Sequence, residues 1–241
     1  MKVINTDDRD NIFKVTKSIV KKAVPSFSPE ELKNFKVPGQ MNRGILEYIY
    51  NHYSAEGSKV LDPMCSIGTS MYYGARLKRK VWGIELISNL AQIGRYLLKE
   101  QLSGDKYWEL REGNIFKVTL PKNVFDLIIF SPPQIMIKRG GYPKGKDQMG
   151  NFNLRQEKKY WDKIAKIVKK IKLSLKKKGY LVTLNVNMKR LDGSLYLFPD
   201  EMNKTIESFG MKLREETIVN RKNHVNVDNI QYEYIRAYQK R

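Results

Sequence analysis

Four consecutive residues, Ser131-Pro132-Pro133-Gln134, place a hydroxyl, two rigid rings and an amide directly after an apolar run, Phe125-Asp126-Leu127-Ile128-Ile129-Phe130. Prolines fix the backbone, so polar groups held here are preorganised rather than assembled during a reaction. A short apolar run that ends in turn residues predicts a buried parallel strand. On open α/β sheets, ligands bind beyond the carboxyl ends of such strands. These four residues therefore stand where a substrate arrives.

Three more polar positions fall at predicted strand ends. The stretch Val60-Leu61-Asp62-Pro63-Met64-Cys65-Ser66-Ile67-Gly68-Thr69 leads from a strand into a helix, a junction that presents backbone N–H groups to a ligand. Glu85 lies 23 residues after Asp62 at the tip of the next strand, where an acidic residue accepts hydrogen bonds from ribose hydroxyls. Gly113-Asn114 follows a third strand, and an amide there can read an adenine edge. A nucleotide-binding core without group-transfer chemistry would share much of this pattern. The addition of the Ser-Pro-Pro loop, in register with the other three, points to a cofactor on one side and a polar substrate on the other.

The elements that must position these residues read as follows. Asp10–Lys22, with Ile12, Val15 and Ile19 near helical spacing, predicts a helix closed by Pro25, and Ser28-Pro29-Glu30-Glu31 carries a capping-box helix start. Another helix is expected over Asn42–Tyr53. Strands are expected at Lys59–Leu61, Val81–Ile84, Tyr107–Arg111, Phe125–Phe130, Tyr180–Val186, Met211–Val219 and Ile230–Tyr238. Helices alternate with them at Thr69–Lys78, from Ser88 as cap, at Lys158–Lys178 ending on Gly179, and at Pro199–Ser208. The long helix would bury Trp161, Ile164, Val168, Ile171 and Leu175. This alternation implies an α/β fold: a Rossmann-like, doubly wound, mainly parallel seven-stranded sheet with an N-terminal helical segment over residues 1–40 and the main domain over 41–241.

The set resembles the S-adenosylmethionine-dependent amino-methyltransferases of the S-P-P-Y/D-P-P-Y type. Leu61–Thr69 is similar to that family's D-P-F-x-G-x-G-T loop, with Met64 for the phenylalanine and Ser66 for the first glycine. Pro38-Gly39-Gln40-Met41 is similar to its Y-P-x-K-F segment, with Gln40 where lysine is usual, and Tyr232–Lys240 resembles its closing strand. The resemblance implies S-adenosylmethionine as cofactor, contacted by Gln40, Met41, Asp62, Met64, Ser66, Gly68, Thr69, Glu85, Leu86, Asn114 and Ile115. It implies Ser131, Pro132, Pro133 and Gln134 as the catalytic loop, with the Ser131 side chain and the Pro132 carbonyl accepting the two hydrogens of an exocyclic amine. Serine at the first position is typical of the cytosine-N4 enzymes. Gln134 departs from the pattern, because the family places an aromatic there to stack on a flipped base; Tyr142 and Phe152 are the aromatics nearby in sequence.

Composition narrows the partners. The 241 residues carry a formal net charge of +20, and 41% are hydrophobic. From Ile135 to Arg190 there are 17 Lys or Arg against 3 Asp or Glu. A field of this sign attracts a polyanion and gains affinity by counterion release, whereas the bland alternative is a solvated lysine-rich helix face. Lys138, Arg139, Tyr142, Lys144, Lys146, Lys158 and Lys159 are the candidate nucleic-acid contacts. One cysteine and two histidines give no cysteine-cluster zinc site and no metal centre. No apolar stretch reaches the roughly 20 residues of a bilayer span, and the start lacks a signal peptide's apolar core. The expectation is a cytoplasmic, metal-free protein.

The leading functional reading is a site-specific DNA methyltransferase acting on cytosine N4, of the kind paired with a cognate restriction endonuclease. Adenine N6 in DNA, or a base in RNA, is the alternative within the same chemistry. A basic nucleic-acid-binding protein with an inactive methyltransferase fold is the alternative of another class. The absence of a long recognition insert predicts a short target or a homodimer.

Overall fold

The run after which the Ser-Pro-Pro loop begins forms β5 (Phe125–Phe130), and its alternating residues serve two cores. Leu127 and Ile129 pack on one face of the sheet, and Ile128 and Phe130 on the other. All four are fully buried, so the sequence shows no polar alternation. The computed structural model describes residues 2–7, 12–36, 40–102, 104, 106–135, 147–190, 192–222 and 232–241, apart from the side chains of residues 7, 189, 221, 222 and 232.

The other strands of the main sheet are β1 (Lys2–Asp7), β2 (Lys59–Asp62), β3 (Lys80–Glu85), β4 (Trp108–Glu112), β6 (Leu175–Val186), β9 (Met211–Lys222) and β10 (Tyr232–Lys240). Their order is β1-β9-β10-β6-β5-β2-β3-β4, and β10 alone runs against its neighbours. The chain builds outward from β2 through β3 to β4, then returns to lay β5 on the far side of β2. That reversal puts a crevice at the carboxyl ends of β2 and β5, where Asp62 and Ser131 sit.

One face is covered by α1 (Lys17–Ala23), α2 (Pro29–Asn34), α3 (Arg43–Tyr53), α4 (Thr69–Arg76) and α5 (Ser88–Gln101). The other carries α6 (Glu157–Ser174) and α7 (Phe198–Ser208). A small antiparallel pair, β7 (Met188–Lys189) and β8 (Leu195–Tyr196), projects between β6 and α7. Two glycines matter for the crevice. Gly68 opens α4 with φ of 82°, and a Cβ on Gly83 would meet Met71 Sδ at 2.2 Å, so α4 packs directly on β3.

Several expectations need correction. Among the described residues the sheet has eight strands rather than seven, because residues 2–7, expected within a helical segment, pair with β9 in parallel register. That pairing is purely tertiary, and the stretch carries no strand pattern of its own. The first helix starts at Lys17, with the Thr16 side chain accepting from the Ile19 N–H, rather than at Asp10. Residue 13 is held outside it: Gln40 accepts from the Phe13 N–H at 3.0 Å and donates to the Phe13 carbonyl at 2.9 Å. The Ser28–Glu31 capping box is present as read.

Ser88 does not cap α5 but donates to Glu112. Helix α6 stops at Ser174 instead of Lys178, because the last carbonyls are taken from outside: Asn123 N–H bonds Leu173 O and Val124 N–H bonds Ser174 O. Lys176–Gly179 then bulge out of the β5–β6 ladder, with Lys178 at φ of 63°. Of the predicted α6 stripe, Ile164, Val168 and Ile171 are buried in the helix and Leu175 is buried as the first residue of β6, while Trp161 is partly buried and Tyr160 takes the deep position.

Candidate active site

A cavity of about 380 Å³ opens at the carboxyl ends of β2, β3, β4 and β5. Met41, Asp62, Met64, Ser66, Thr69, Glu85, Leu86, Asn114 and Ile115 line it together with Ser131, Pro132, Pro133 and Gln134. Two of the expected cofactor residues do not. Gln40 spends both amide atoms on Phe13, and Gly68 lies in the turn behind the wall, its N–H bonded to Cys65 O.

Asp62 is 3% exposed and anchors the loop after β2. One oxygen accepts from Met64 N–H at 3.1 Å and the other from Ser70 Oγ at 2.5 Å. Burial pushes its carboxyl up to about 6, against the pull of those two donors. Glu85, at the tip of β3, accepts from Ser66 N–H at 2.9 Å and from Ile87 N–H at 2.8 Å. Burial raises its pKa as well, with the Asp62 charge adding to the effect and the backbone donors opposing it. Ser66 adopts φ of 50°, the left-handed geometry that glycine takes easily. Its hydroxyl is buried with no hydrogen-bond partner among the described residues.

At the tip of β4, the Asn114 amide is already engaged: it donates to Asp147 at 2.7 Å and accepts from Phe116 N–H at 2.9 Å. Asp147 also binds Lys163 Nζ at 2.8 Å, which holds its carboxyl below the usual range, with Asn114 adding to the effect. Asp147, Gln148, Met149, Ile87 and Leu90 line the cavity too and escaped the sequence reading. Asp147 had one signal, being the sole acidic residue between Ile135 and Gln156.

The Ser-Pro-Pro loop is tied down on three sides. Ser131 Oγ lies 3.1 Å from the Leu184 carbonyl, which can only accept, so the serine donates its own proton there. The oxygen's lone pairs are left for a donor from the cavity. Tyr160, fully buried, donates to the Pro133 carbonyl at 2.8 Å. Gln134 bonds both backbone groups of Val186. Phe152 is no substitute for a stacking aromatic, since it is buried in the core edge-on to Tyr160.

Lys138, Arg139, Tyr142, Lys144 and Lys146 lie outside the described residues. Lys158 and Lys159 are exposed on the first turn of α6. Among the described residues no group of His, Cys, Asp and Glu could hold a metal ion, and no helix is long and apolar enough to cross a membrane.

No protein-family profile matches the chain, and no curated protein matches it by sequence. Solved structures do. An S-adenosylmethionine-dependent methyltransferase from Methanosarcina mazei superposes with a TM-score of 0.56 at 13% identity, over 80% of this chain and 96% of that one. The fold is that of the S-adenosylmethionine-dependent methyltransferases. TrmN from Thermus thermophilus gives a TM-score of 0.58 at 14% identity, over 92% of this chain and 52% of TrmN. A geranyl diphosphate methyltransferase solved with GPP and sinefungin gives 0.57 at 13% identity, over 82% of this chain and 77% of that one. At these identities the likeness carries the fold, and the substrate has to be read from the site.

Proposed function

We propose that the protein transfers a methyl group from S-adenosylmethionine to the exocyclic N4 of cytosine in DNA. The observation that carries this reading is the shared cavity: Glu85 and Ser131 line one continuous space of about 380 Å³, within the usual size of a small-molecule site. A cofactor and an amine can therefore meet without a barrier between them.

The donor set fits that cofactor. Each Glu85 oxygen keeps a lone pair beyond its backbone partner, suited to a ribose diol. Ser66 supplies a buried hydroxyl that lacks a partner among the described residues. Met41, Leu90, Ile115 and Met149 give apolar walls, and Asp147 places a carboxylate beside Asn114 for an amino group. When bound, the cofactor supplies an electrophilic methyl on a sulfonium. Sinefungin, an analogue of that cofactor, accompanies the geranyl diphosphate methyltransferase.

The chain's own part is to make the amine nucleophilic. The lone pair of cytosine N4 is delocalised into the ring, so the nitrogen must be drawn towards tetrahedral geometry. Ser131 Oγ, committed as a donor to Leu184, faces the cavity as an acceptor for one N–H, and the Pro132 carbonyl takes the other in this reading. The Tyr160 and Gln134 bonds hold both acceptors still, which is where such a site gains its rate. As the N–C bond forms and the S–C bond breaks, the extra proton on nitrogen passes to water. A base in duplex must first leave the stack to reach this depth.

DNA as the polymer is supported by the net charge of +20 and by exposed Arg155, Lys158 and Lys159 near the loop. Cytosine N4 rests on serine at position 131. The test is mass spectrometry of nucleosides after incubating unmodified DNA or RNA with protein and deuteromethyl-labelled cofactor. Labelled N4-methylcytosine from DNA is the expected product. Labelled N6-methyladenine or a labelled RNA base would overturn the choice of target but keep the chemistry. Cofactor binding without label in any nucleic acid would favour the inactive-fold alternative.

A further inference from the structure

The small β7–β8 hairpin has no part in the cavity, yet it is built onto the same loop. It emerges from β6 just after Val186, whose backbone Gln134 grips. Tyr196 of β8 donates to Glu157 at 2.6 Å and accepts from Trp161 Nε1 at 2.8 Å, which fixes the hairpin against the first turn of α6. Tyr160, Trp161, Tyr196 and Phe198 form one ring cluster beneath it, and Tyr160 carries the bond to the Pro133 carbonyl. The hairpin is thus held rigidly to the Ser-Pro-Pro loop by aromatic packing.

Its outer surface is unusual in two ways. Leu195 is 58% exposed and Leu197 45%, and among the described residues they are two of the few large apolar side chains that face solvent. Exposed cations lie near them: Arg190 stacks over the Tyr196 ring at 5.0 Å, and Arg155, Lys158 and Lys159 are exposed on the adjoining turn. The hairpin's single acid, Asp192, is exposed and accepts from the Ser194 N–H at 2.9 Å and Oγ at 2.6 Å, donors that together with the Arg190 charge hold its carboxyl below the usual range. Two solvent-facing leucines flanked by these cations, with the neighbouring acids Asp200 and Glu201 paired to Arg236 and Lys204, match what a duplex offers, namely apolar base faces inside a fence of phosphates. Proteins that open base steps use apolar side chains of this kind, with arginine and lysine on the flanking backbone.

We infer that the β7–β8 hairpin is a DNA-contacting wedge: Leu195 and Leu197 pack into the base stack at an opened step while Arg190 holds an adjacent phosphate. This deepens the proposed function and rests on its choice of DNA. An extruded base leaves a gap beside it, and a rigid apolar hairpin next to the receiving loop fills that gap at no further ordering cost.

The experiment measures binding of fluorescent duplex DNA by polarisation across a salt series, for the wild type, the L195S/L197S double variant and Arg190→Ala. Both leucines are exposed, and serine is favoured at position 197 because it precedes α7, so the fold should survive. The double variant is expected to bind about tenfold more weakly with an unchanged salt slope, as apolar contacts alone are lost. A duplex carrying an abasic gap, which needs less opening, should restore at least part of that loss. Arg190→Ala is expected to reduce the salt slope by roughly 0.9, one phosphate contact. Wild-type affinity in the double variant would overturn the wedge, as would a wild type that binds no duplex at all. Loss of methylation with intact hairpin-dependent binding would instead overturn the methyl-transfer reading and leave the wedge standing.

Discussion

Gln134 and Val186 pair as two strands would: Gln134 Oε1 accepts from the Val186 N–H at 3.2 Å, and Gln134 Nε2 donates to the Val186 carbonyl at 2.9 Å. An amide is the side chain that can offer both halves of a backbone ladder. The pairing prolongs β6 sideways and locks the Ser-Pro-Pro loop to the strand that also carries the Leu184 carbonyl, the acceptor for Ser131. A residue that departs from an aromatic pattern is therefore a strut for the loop rather than a stacking surface.

Gln134→Ala should release one side of that loop. We expect turnover to fall about tenfold or more while cofactor affinity stays close to wild type, since loose acceptors act on the reacting nitrogen alone. Gln134→Glu keeps the acceptor but loses the donor to Val186, and should fall in turnover as well. Steady-state methyl transfer combined with calorimetric cofactor binding checks this; an equal loss in both quantities would contradict it.

Asp62 predicts a pH dependence. Burial raises its carboxyl from 3.8 to about 6, so the folded protein holds the proton more tightly than the unfolded chain. The charge then costs nothing below about pH 4, costs progressively more up to about pH 6, and a constant amount of about 3 kcal/mol above that. Asp62→Asn has no charge to bury. The stability gap between variant and wild type, read from urea midpoints between pH 4 and 8, should shift in favour of the variant up to about pH 6 and then level off. Glu85 titrates in both proteins, but without the Asp62 charge beside it its pKa is raised less in the variant, which adds to the shift in the same direction. Parallel curves across that window would contradict the assignment.

Glu85→Ala removes the acceptor for the ribose and leaves the Ser66 and Ile87 N–H groups without their partner. Cofactor affinity should weaken by about 1–3 kcal/mol, the worth of hydrogen bonds to a charged group. Calorimetry reads this directly. Unchanged affinity would remove Glu85 from the cofactor site.

Lys158 and Lys159 lie exposed on the turn that follows the 147–156 stretch. Lysine lacks the bidentate fork of arginine, so these residues should hold phosphates and leave base choice alone. Replacing both with alanine should lower the slope of log affinity against log salt by roughly 0.9 per lost contact, with the methylated sequence unchanged. A wild-type slope would make them solubilising groups only.

Local chemistry explains what could be read from the chain alone. The β5 run, the Asp62–Thr69 junction and the Ser28 capping box all depend on neighbours in sequence, and each appears where the pattern puts it. What escaped reading depends on distant partners. Strand β1 exists because β9 offers it a ladder more than 200 residues away. Gln40 resembles a cofactor residue until Phe13 occupies its amide. Asn114 seems free in sequence, yet Asp147, 33 residues on, claims its donor. Helix α6 ends early because residues 123 and 124 take its last carbonyls.

The claim at the centre of this account is that Ser131, as a donor to Leu184, presents its oxygen to the reacting amine. The most direct measurement is single-turnover methyl transfer by Ser131→Ala at saturating DNA and cofactor, followed by nucleoside mass spectrometry. The account predicts N4-methylcytosine formed about 10²-fold more slowly than by the wild type, the cost of removing one preorganised hydrogen-bonding group, with cofactor affinity unchanged. A wild-type rate in the variant would contradict it.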